Sequence, residues 1–169
     1  MLENQVNFVY IAIGSNLGNK IHNIQKSLFL LSGKIEIIQV SSCYETLSWP
    51  NPKNPKFLNL VIKANTSLNI NELFKLCIII EKSLGRLRNK KNEPRTCDID
   101  IIDFNSKVIN DFKNDLFLPH KSMHLRNFVL IPLYEISKNW LHPKMNIKIK
   151  NLISKLSLKD LMSIKKIEI

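Results

Sequence analysis

Three observations predict an α+β fold for this chain. Runs rich in β-branched residues alternate with two amphipathic patterns in the order strand, helix, strand, strand, helix, strand. Turns containing glycine, asparagine and serine bound several of these runs, and the 169 residues contain no internal repeat or linker. This order is that of a ferredoxin-like split βαβ sheet with helices packed on one face.

The first half of the chain supplies a strand, a helix and two further strands. Residues 8–13 read as a strand that ends in a glycine-containing turn. Apolar residues in 21–31 recur at spacings of three and four, which predicts a helix that ends near Gly33. Residues 35–44 and 57–65 are the next strands, and the prolines between them exclude regular structure there.

The second half begins with the clearest helix. Asn69 followed by Glu72 resembles a capping box, and the apolar stripe after it continues until Gly85. Residues 98–104 return to strand character, and a short strand over 116–118 follows.

Three further elements are predicted between and after these strands. Val108-Ile109 is expected to pair back onto the strand over 98–104. Pro132 lacks an amide hydrogen, so it is placed in the first turn of a helix. A weaker, lysine-rich amphipathic helix is expected over 149–162.

Length and composition favour one domain over residues 1–169, with a core over about 6–156 and a helical tail over 149–169. The chain has no long uncharged apolar run and no secretory signal pattern, which predicts a cytoplasmic protein without a membrane partner. We also expect a monomer. Three widely spaced cysteines predict free, buried thiols.

The net charge of +11 comes mostly from lysines that follow a general enrichment in lysine, isoleucine and asparagine. We interpret them as a solvated surface, and we expect no nucleic-acid partner. Arginine is more informative, because its planar fork of donors suits phosphate oxygens. All four arginines lie within 41 residues, which predicts an anion site there: Arg86, Arg88, Arg95 and Arg126.

Asp98 and Asp100 form the most informative pair, because side chains at i and i+2 of a strand project from one face. Their Cα atoms are expected about 6.6 Å apart, a span that two Mg²⁺ ions about 3.5 to 4 Å apart could bridge. Two aspartates on the solvent face of a strand are the simpler alternative.

His120 can be a structural histidine, a phosphate donor or a metal ligand. Arg126, six residues later, favours a phosphate site, while the arginines of residues 86–95 would approach from a mobile loop. The sequence contains no Walker-type glycine loop, so metal and side chains would hold nucleotide phosphates. This combination suits phosphoryl transfer.

The sequence resembles the 6-hydroxymethyl-7,8-dihydropterin pyrophosphokinase family of folate biosynthesis from Tyr10 to about Leu156. The matching segments are Ile11-Ala12-Ile13-Gly14-Ser15-Asn16-Leu17, Phe57-Leu58-Asn59, Gly85-Arg86-Leu87-Arg88, Pro94-Arg95-Thr96-Cys97-Asp98-Ile99-Asp100, Pro119-His120 and Arg126-Asn127-Phe128. In this order and spacing they are highly specific.

The resemblance implies transfer of the β,γ-diphosphate of ATP to the hydroxyl of 6-hydroxymethyl-7,8-dihydropterin, with AMP as the second product. It implies that Asp98 and Asp100 hold two Mg²⁺ ions and are catalytic together with Arg86 and Arg95. The ATP-binding residues it implies are Glu81, Arg86, Arg88, Arg95, His120, Lys121 and Arg126. The pterin-binding residues it implies are Thr46, Leu47, Trp49, Phe57, Asn59 and Phe128.

The sequence departs from the family pattern in its lid, where Asn92-Glu93 replaces tryptophan and glycine. Lys121 stands where an aromatic hydroxyl is common. The loops over 48–56 and 86–94 are expected to be mobile without ligands. Asp100 is the better of the two aspartates as general base for the attacking hydroxyl if one of its oxygens stays free of metal, whereas a magnesium-bound alkoxide would need no base.

Two alternative functions stay open at this point. A small nucleotidyltransferase would also place paired aspartates on a ferredoxin-like sheet, but it would release diphosphate instead of AMP. A basic RNA-binding module would need stacking aromatic residues on its central strands, where this chain carries Asp98 and Asp100.

Overall fold

The computed structural model describes residues 6–86 and 92–168. The strands are β1 (Asn7–Ser15), β2 (Glu36–Val40), β3 (Cys43–Thr46), β4 (Phe57–Thr66), β5 (Asp98–Phe104), β6 (Ile109–Asp111), β7 (Leu116–Leu118) and β8 (Lys165–Ile167). The helices are α1 (Lys20–Ser32), α2 (Ile70–Ser83), α3 (Asn127–Ile136), α4 (Ile149–Ile153) and α5 (Leu158–Met162), and a 3-10 turn spans Met123–Leu125.

The main sheet has the strand order β5-β1-β4-β3-β8, and β2 also pairs with β4. Each of these pairings is antiparallel. β1 therefore lies between β4 and β5, and the strands that each crossover helix connects are separated by one strand. This is the ferredoxin-like arrangement, so the predicted α+β class is confirmed.

The predicted strand over residues 35–44 is divided into β2 and β3 at Ser41. The Ser41 amide donates to the Val61 carbonyl over 2.9 Å, and the Val61 amide donates to the Ser41 hydroxyl over 2.9 Å. Because the hydroxyl takes the place of a backbone carbonyl, β4 keeps its partner while the chain bends.

Two apolar clusters lie on opposite faces of the sheet, because successive side chains of β1 alternate. Val9, Ile11 and Ile13 belong to the cluster that includes buried residues of α1 and α2, whereas Tyr10 and Ala12 pack on the cluster of α3 and α4. The prediction of helices on one face therefore holds for α1 and α2. Two further helices cover the other face, which it did not include.

The capping box of α2 is confirmed. The Asn69 side chain accepts from the Glu72 amide over 3.0 Å, and the Glu72 carboxylate accepts from the Asn69 amide over 2.8 Å. Its apolar stripe then places Leu73, Cys77 and Ile80 in the core. The three cysteines are buried and free, as predicted.

Three local predictions were wrong. β6 pairs with β7 instead of returning to β5. α3 begins at Asn127, so Pro132 lies in its interior, where packing of buried neighbours such as Leu133 outweighs the lost amide hydrogen bond. Residues 149–162 form α4 and α5 instead of one helix, and the tail ends in the strand β8. Among the described residues, no helix is both long and apolar enough to cross a membrane.

Candidate active site

The two aspartates lie on β5, an edge strand of the main sheet. Asp98 pairs with Gly14 of β1 and Asp100 pairs with Ala12, while the intervening Ile99 points into the core. Gly14 is needed for close packing, because a Cβ atom there would lie 2.8 Å from Oδ1 of Asn59. Both carboxylates therefore face the same side at the open edge of the sheet, as the sequence predicted.

Asp98 is held by two arginines. Nη1 of Arg86 donates to Oδ1 of Asp98 over 2.6 Å, and Nη2 of Arg95 donates to Oδ2. Burial by itself raises the pKa of Asp98, but the charges of Arg95 and Arg86 hold that pKa below its ordinary value. Asp98 is consequently ionised and serves as the counterion of two partly buried guanidinium groups.

Glu81 of α2 supports this cluster from behind. It is 2% exposed, it accepts from the Ile99 amide over 2.8 Å, and it also accepts from Nη1 of Arg86. Burial lowers the pKa of Arg86, and the charges of Asp98 and Glu81 more than offset that effect. Glu81 thus fixes the guanidinium between α2 and β5.

Asp100 is in the opposite situation. Burial and then the charge of Asp98 raise its pKa, and His120 and Arg126 oppose this only in part. Nη1 of Arg126 lies 3.7 Å from Oδ2 of Asp100, which is an ion pair without a close hydrogen bond. Asp100 therefore gains more than Asp98 from any additional positive charge placed between them.

His120 lies next to this pair with a defined proton position. Its Nδ1 accepts from the Ser122 amide over 3.3 Å, so the neutral ring carries its hydrogen on Nε2. Burial lowers the pKa of His120, although Asp100 opposes the effect. The residue can therefore donate one neutral hydrogen bond.

A cleft of about 400 Å³ lies over these residues, and we call it the large cleft. Seven of the candidate residues line it: Glu81, Arg86, Asp98, Asp100, His120, Lys121 and Arg126. The ammonium of Lys121 lies 3.1 Å from the centre of the Phe117 ring and 3.9 Å from Oδ1 of Asp115. Arg88 lies outside the described residues.

The large cleft has apolar walls that sequence reasoning missed. Phe74 and Ile78 of α2 form one wall, and Ile101 and Phe117 contribute to the rest. Phe74 and Ile78 lie four residues apart, and each directly follows a residue of the buried stripe, Leu73 or Cys77. This spacing, which puts both side chains on one face of the helix, is the signal that could have identified them. Flat apolar walls beside charged groups suit a nucleotide base next to its phosphates.

A second, smaller cavity lies on the other side of Asp98, and we call it the aromatic pocket. All six residues implied for the pterin line it: Thr46, Leu47, Trp49, Phe57, Asn59 and Phe128. Nδ2 of Asn59 donates to Oγ1 of Thr46 over 2.9 Å, which leaves the Asn59 carbonyl oxygen beside Gly14. The free volume is about 40 Å³.

Two arginines lie on the aromatic residues of this pocket. The guanidinium carbon of Arg95 lies 5.0 Å from the centre of the Phe57 ring. That of Arg126 lies 5.2 Å from Trp49 and 5.5 Å from Phe128. Within the described part of the chain, the buried Nε atoms of Arg95 and Arg126 have no hydrogen-bond partner. Buried donors of this kind point to an anionic ligand.

Asn16 is a further residue that sequence reasoning did not single out. Its Oδ1 accepts from the backbone amide of Arg95 over 2.7 Å, and its backbone amide donates to the Arg95 carbonyl over 3.1 Å. Its Nδ2 donates to Oγ of Ser48 over 3.2 Å and to the Pro55 carbonyl over 3.0 Å. Asn16 therefore connects the backbone of Arg95 to the loop that carries Trp49.

Comparison with known proteins identifies a family whose sequence pattern this chain matches. The sequence model of the 7,8-dihydro-6-hydroxymethylpterin-pyrophosphokinase (HPPK) family matches residues 10–138. A 2-amino-4-hydroxy-6-hydroxymethyldihydropteridine pyrophosphokinase of Bacillus subtilis is 40% identical over 132 residues, which cover 77% of this chain and 78% of the relative.

Longer proteins contain a similar segment. The folic acid synthesis protein FOL1 of Dictyostelium discoideum is 39% identical over 141 residues, which cover 83% of this chain and 21% of that protein. A crystal structure of Plasmodium falciparum HPPK-DHPS with pterin and p-hydrobenzoate matches the fold with a TM-score of 0.74 and 17% identity. The match covers all of this chain and 49% of that one.

Proposed function

Because this chain belongs to the 7,8-dihydro-6-hydroxymethylpterin-pyrophosphokinase family, we propose that it transfers the β,γ-diphosphate of ATP to the hydroxyl of 6-hydroxymethyl-7,8-dihydropterin. The products are AMP and the pterin diphosphate. The observation that carries the proposal is the meeting of the large cleft and the aromatic pocket at two shared residues, Asp98 and Arg126. A bond between two ligands can form at that junction.

ATP occupies the large cleft in this proposal. The base lies against apolar walls such as Phe74 and Phe117, and the phosphates reach the basic groups. In this structure, Arg86 and Arg95 neutralise Asp98. When ATP binds, its phosphate oxygens and Asp98 would share the donors of these two arginines. The buried Nε atoms of Arg95 and Arg126 supply further donors, and His120 donates from Nε2.

The pterin occupies the aromatic pocket. Phe57 and Phe128 offer ring faces for a flat heterocycle, and the buried Asn59 and Thr46 offer donors and acceptors for its edge. For the heterocycle to enter, Arg95 and Arg126 must leave the aromatic faces that they now cover. The phosphates of ATP give both guanidinium groups an alternative partner.

Asp98 and Asp100 are the residues that would hold Mg²⁺. Among residues 6–86 and 92–168, no group of three or more His, Cys, Asp or Glu side chains could hold a metal ion. Two carboxylates nevertheless fit Mg²⁺, which commonly binds one or two protein carboxylates together with substrate phosphates. When bound, two such ions would neutralise phosphate charge and lower the pKa of the pterin hydroxyl.

The chain itself contributes positioning and charge neutralisation. Arg86 is fixed by Glu81 and Asp98, so its donors are ordered before the reaction. The contacts of Asn16 fix the backbone of Arg95, whose guanidinium moves from Phe57 to the phosphates. Asp100 carries a raised pKa, so it is the carboxylate better able to accept the hydroxyl proton if an oxygen stays free of metal.

One assay tests the activity and its alternative. The purified chain is incubated with ATP and Mg²⁺, with and without 6-hydroxymethyl-7,8-dihydropterin, and AMP is measured. We expect AMP to form only when the pterin is present. Release of diphosphate instead of AMP would favour a nucleotidyltransferase, and AMP formation independent of the pterin would overturn the proposal.

The partners in this proposal are small molecules, and nucleic acid is not among them. The predicted cytoplasmic monomer stays a prediction, and light scattering of the purified chain tests its oligomeric part.

Asn92 lies in the aromatic pocket and its carbonyl accepts from Nδ2 of Asn54 over 3.3 Å. The expected mobile loop over 86–94 contains residues 87–91, which lie outside the described residues.

A further inference from the structure

Asn127 lies between two residues of the site, Arg126 and Phe128, at the first position of α3. Its side chain does not face either cavity. Nδ2 of Asn127 donates to the Asp160 carbonyl over 2.6 Å and to Oγ of Ser163 over 3.2 Å. The Ser163 hydroxyl in turn donates to the same Asp160 carbonyl over 2.9 Å. The amide thus joins the beginning of α3 to the end of α5.

The segment over 157–168 also reaches the other flank of the aromatic pocket. β8 pairs with β3 opposite Cys43, Tyr44 and Glu45, immediately before Thr46. The ammonium of Lys166 lies 3.5 Å from Oε1 of Glu135 in α3. The segment is therefore attached both to the helix that carries Phe128 and to the strand that carries Thr46.

We propose that Asn127 is a positioning residue, which uses the segment over 157–168 to fix the start of α3 and so the pterin-stacking ring of Phe128. This inference rests on the proposed function and adds to it a part of the chain outside the residues 10–138 that the family model matches. Asn127 touches neither substrate. It fixes the position of the first turn of α3, and that turn carries the Phe128 ring.

The two neighbours of Asn127 should respond differently when this connection is lost. Arg126 has a contact outside α3 with Asp100 at 3.7 Å, and in the proposed function the ATP phosphates give its guanidinium a further partner. These partners oppose its displacement. The orientation of the Phe128 ring depends more directly on where α3 begins, so pterin binding should weaken more than ATP binding.

The test is the replacement Asn127→Leu in the full chain, which keeps the branched shape and the number of heavy side-chain atoms and removes both donated hydrogen bonds. We expect the KM for the pterin to rise about three- to tenfold, with the KM for ATP changed less than about twofold. Ser163→Ala should raise the pterin KM less, and its effect should shrink when Asn127→Leu is already present.

Ser154→Ala is the matched control. The Ser154 hydroxyl donates to the carbonyl three residues earlier, that of Asn151, over 3.0 Å, as Ser163 does to Asp160. Among the described residues, this hydroxyl makes no hydrogen bond to α3. We expect the control to leave both KM values unchanged. Asn127→Gln, which restores an amide donor on a longer side chain, should recover part of the pterin affinity.

Two results would overturn the inference while the proposed function stands. One is an active Asn127→Leu variant with an unchanged pterin KM. The other is an equal rise in both KM values that follows a fall in thermal stability, because that result would mean a purely structural residue. If the unaltered chain forms no AMP with the pterin, the proposed function fails, and this inference fails with it.

Discussion

The two aspartates should respond in opposite ways when each is neutralised in the ligand-free protein. Asp98→Asn removes the charge that pairs with Arg86 at 2.6 Å and with Arg95. Both guanidinium groups are mostly buried, at 14% and 22% side-chain exposure, so water replaces the lost partner only in part. We expect a loss of about 2 kcal/mol in the free energy of unfolding.

Asp100→Asn should leave stability unchanged or raise it slightly. Burial and the neighbouring charge of Asp98 already disfavour the ionised form of Asp100, and its pair with Arg126 is long at 3.7 Å. An amide removes the repulsion and keeps the shape. Both variants should nevertheless lower kcat by about a hundredfold or more, because in the proposed function each removes a carboxylate that would hold catalytic metal charge.

The assay combines thermal unfolding with AMP formation. Unfolding is followed without nucleotide and with a chelator, so that metal binding does not contribute to stability. For a chain of this size, about 2 kcal/mol lowers Tm by roughly 4 to 8 °C in Asp98→Asn. Equal Tm changes in the two variants would refute the charge assignment, and more than about a tenth of the original activity in either would refute the metal assignment.

Three further predictions concern Arg95, Asn59 and Glu135. Arg95→Ala should lower kcat more than it raises the KM for ATP, because this donor is expected to act chiefly in the transition state. Steady-state kinetics measures the two effects separately, and an unchanged kcat would contradict this role. Asn59→Ala should raise the pterin KM about fivefold or more with little change for ATP, which direct pterin titration measures. Glu135 accepts from Ser42 and Tyr44 and lies near Lys166. Although burial raises the pKa of Glu135, these partners hold it below its ordinary value. Its stabilising contribution is therefore complete above the unfolded pKa, near 4.5, and is lost as the pH falls through the lower folded pKa. Urea denaturation should show that Glu135→Gln costs most stability near neutral pH and least in acid; a pH-independent difference would contradict this.

The sequence by itself determined the class of fold and named most residues of the candidate site. Local signals are sufficient for this, because the capping box of Asn69 and Glu72 and the alternation of Asp98 and Asp100 depend on neighbours within a few residues. The family motifs supplied the residues that meet from distant positions. The six residues implied for the pterin line one pocket, and periodicity alone could not have grouped them.

Tertiary structure decided the contacts that depend on which surfaces meet. Pro132 lies inside α3 because that helix packs on the sheet face of Val61 and Ile102, and the burial of its apolar side outweighs the local preference of proline. The opposite pKa shifts of Asp98 and Asp100 likewise follow from the arginines that reach only one of them closely. Residues far apart in sequence set both outcomes, because packing and electrostatic interactions act through space.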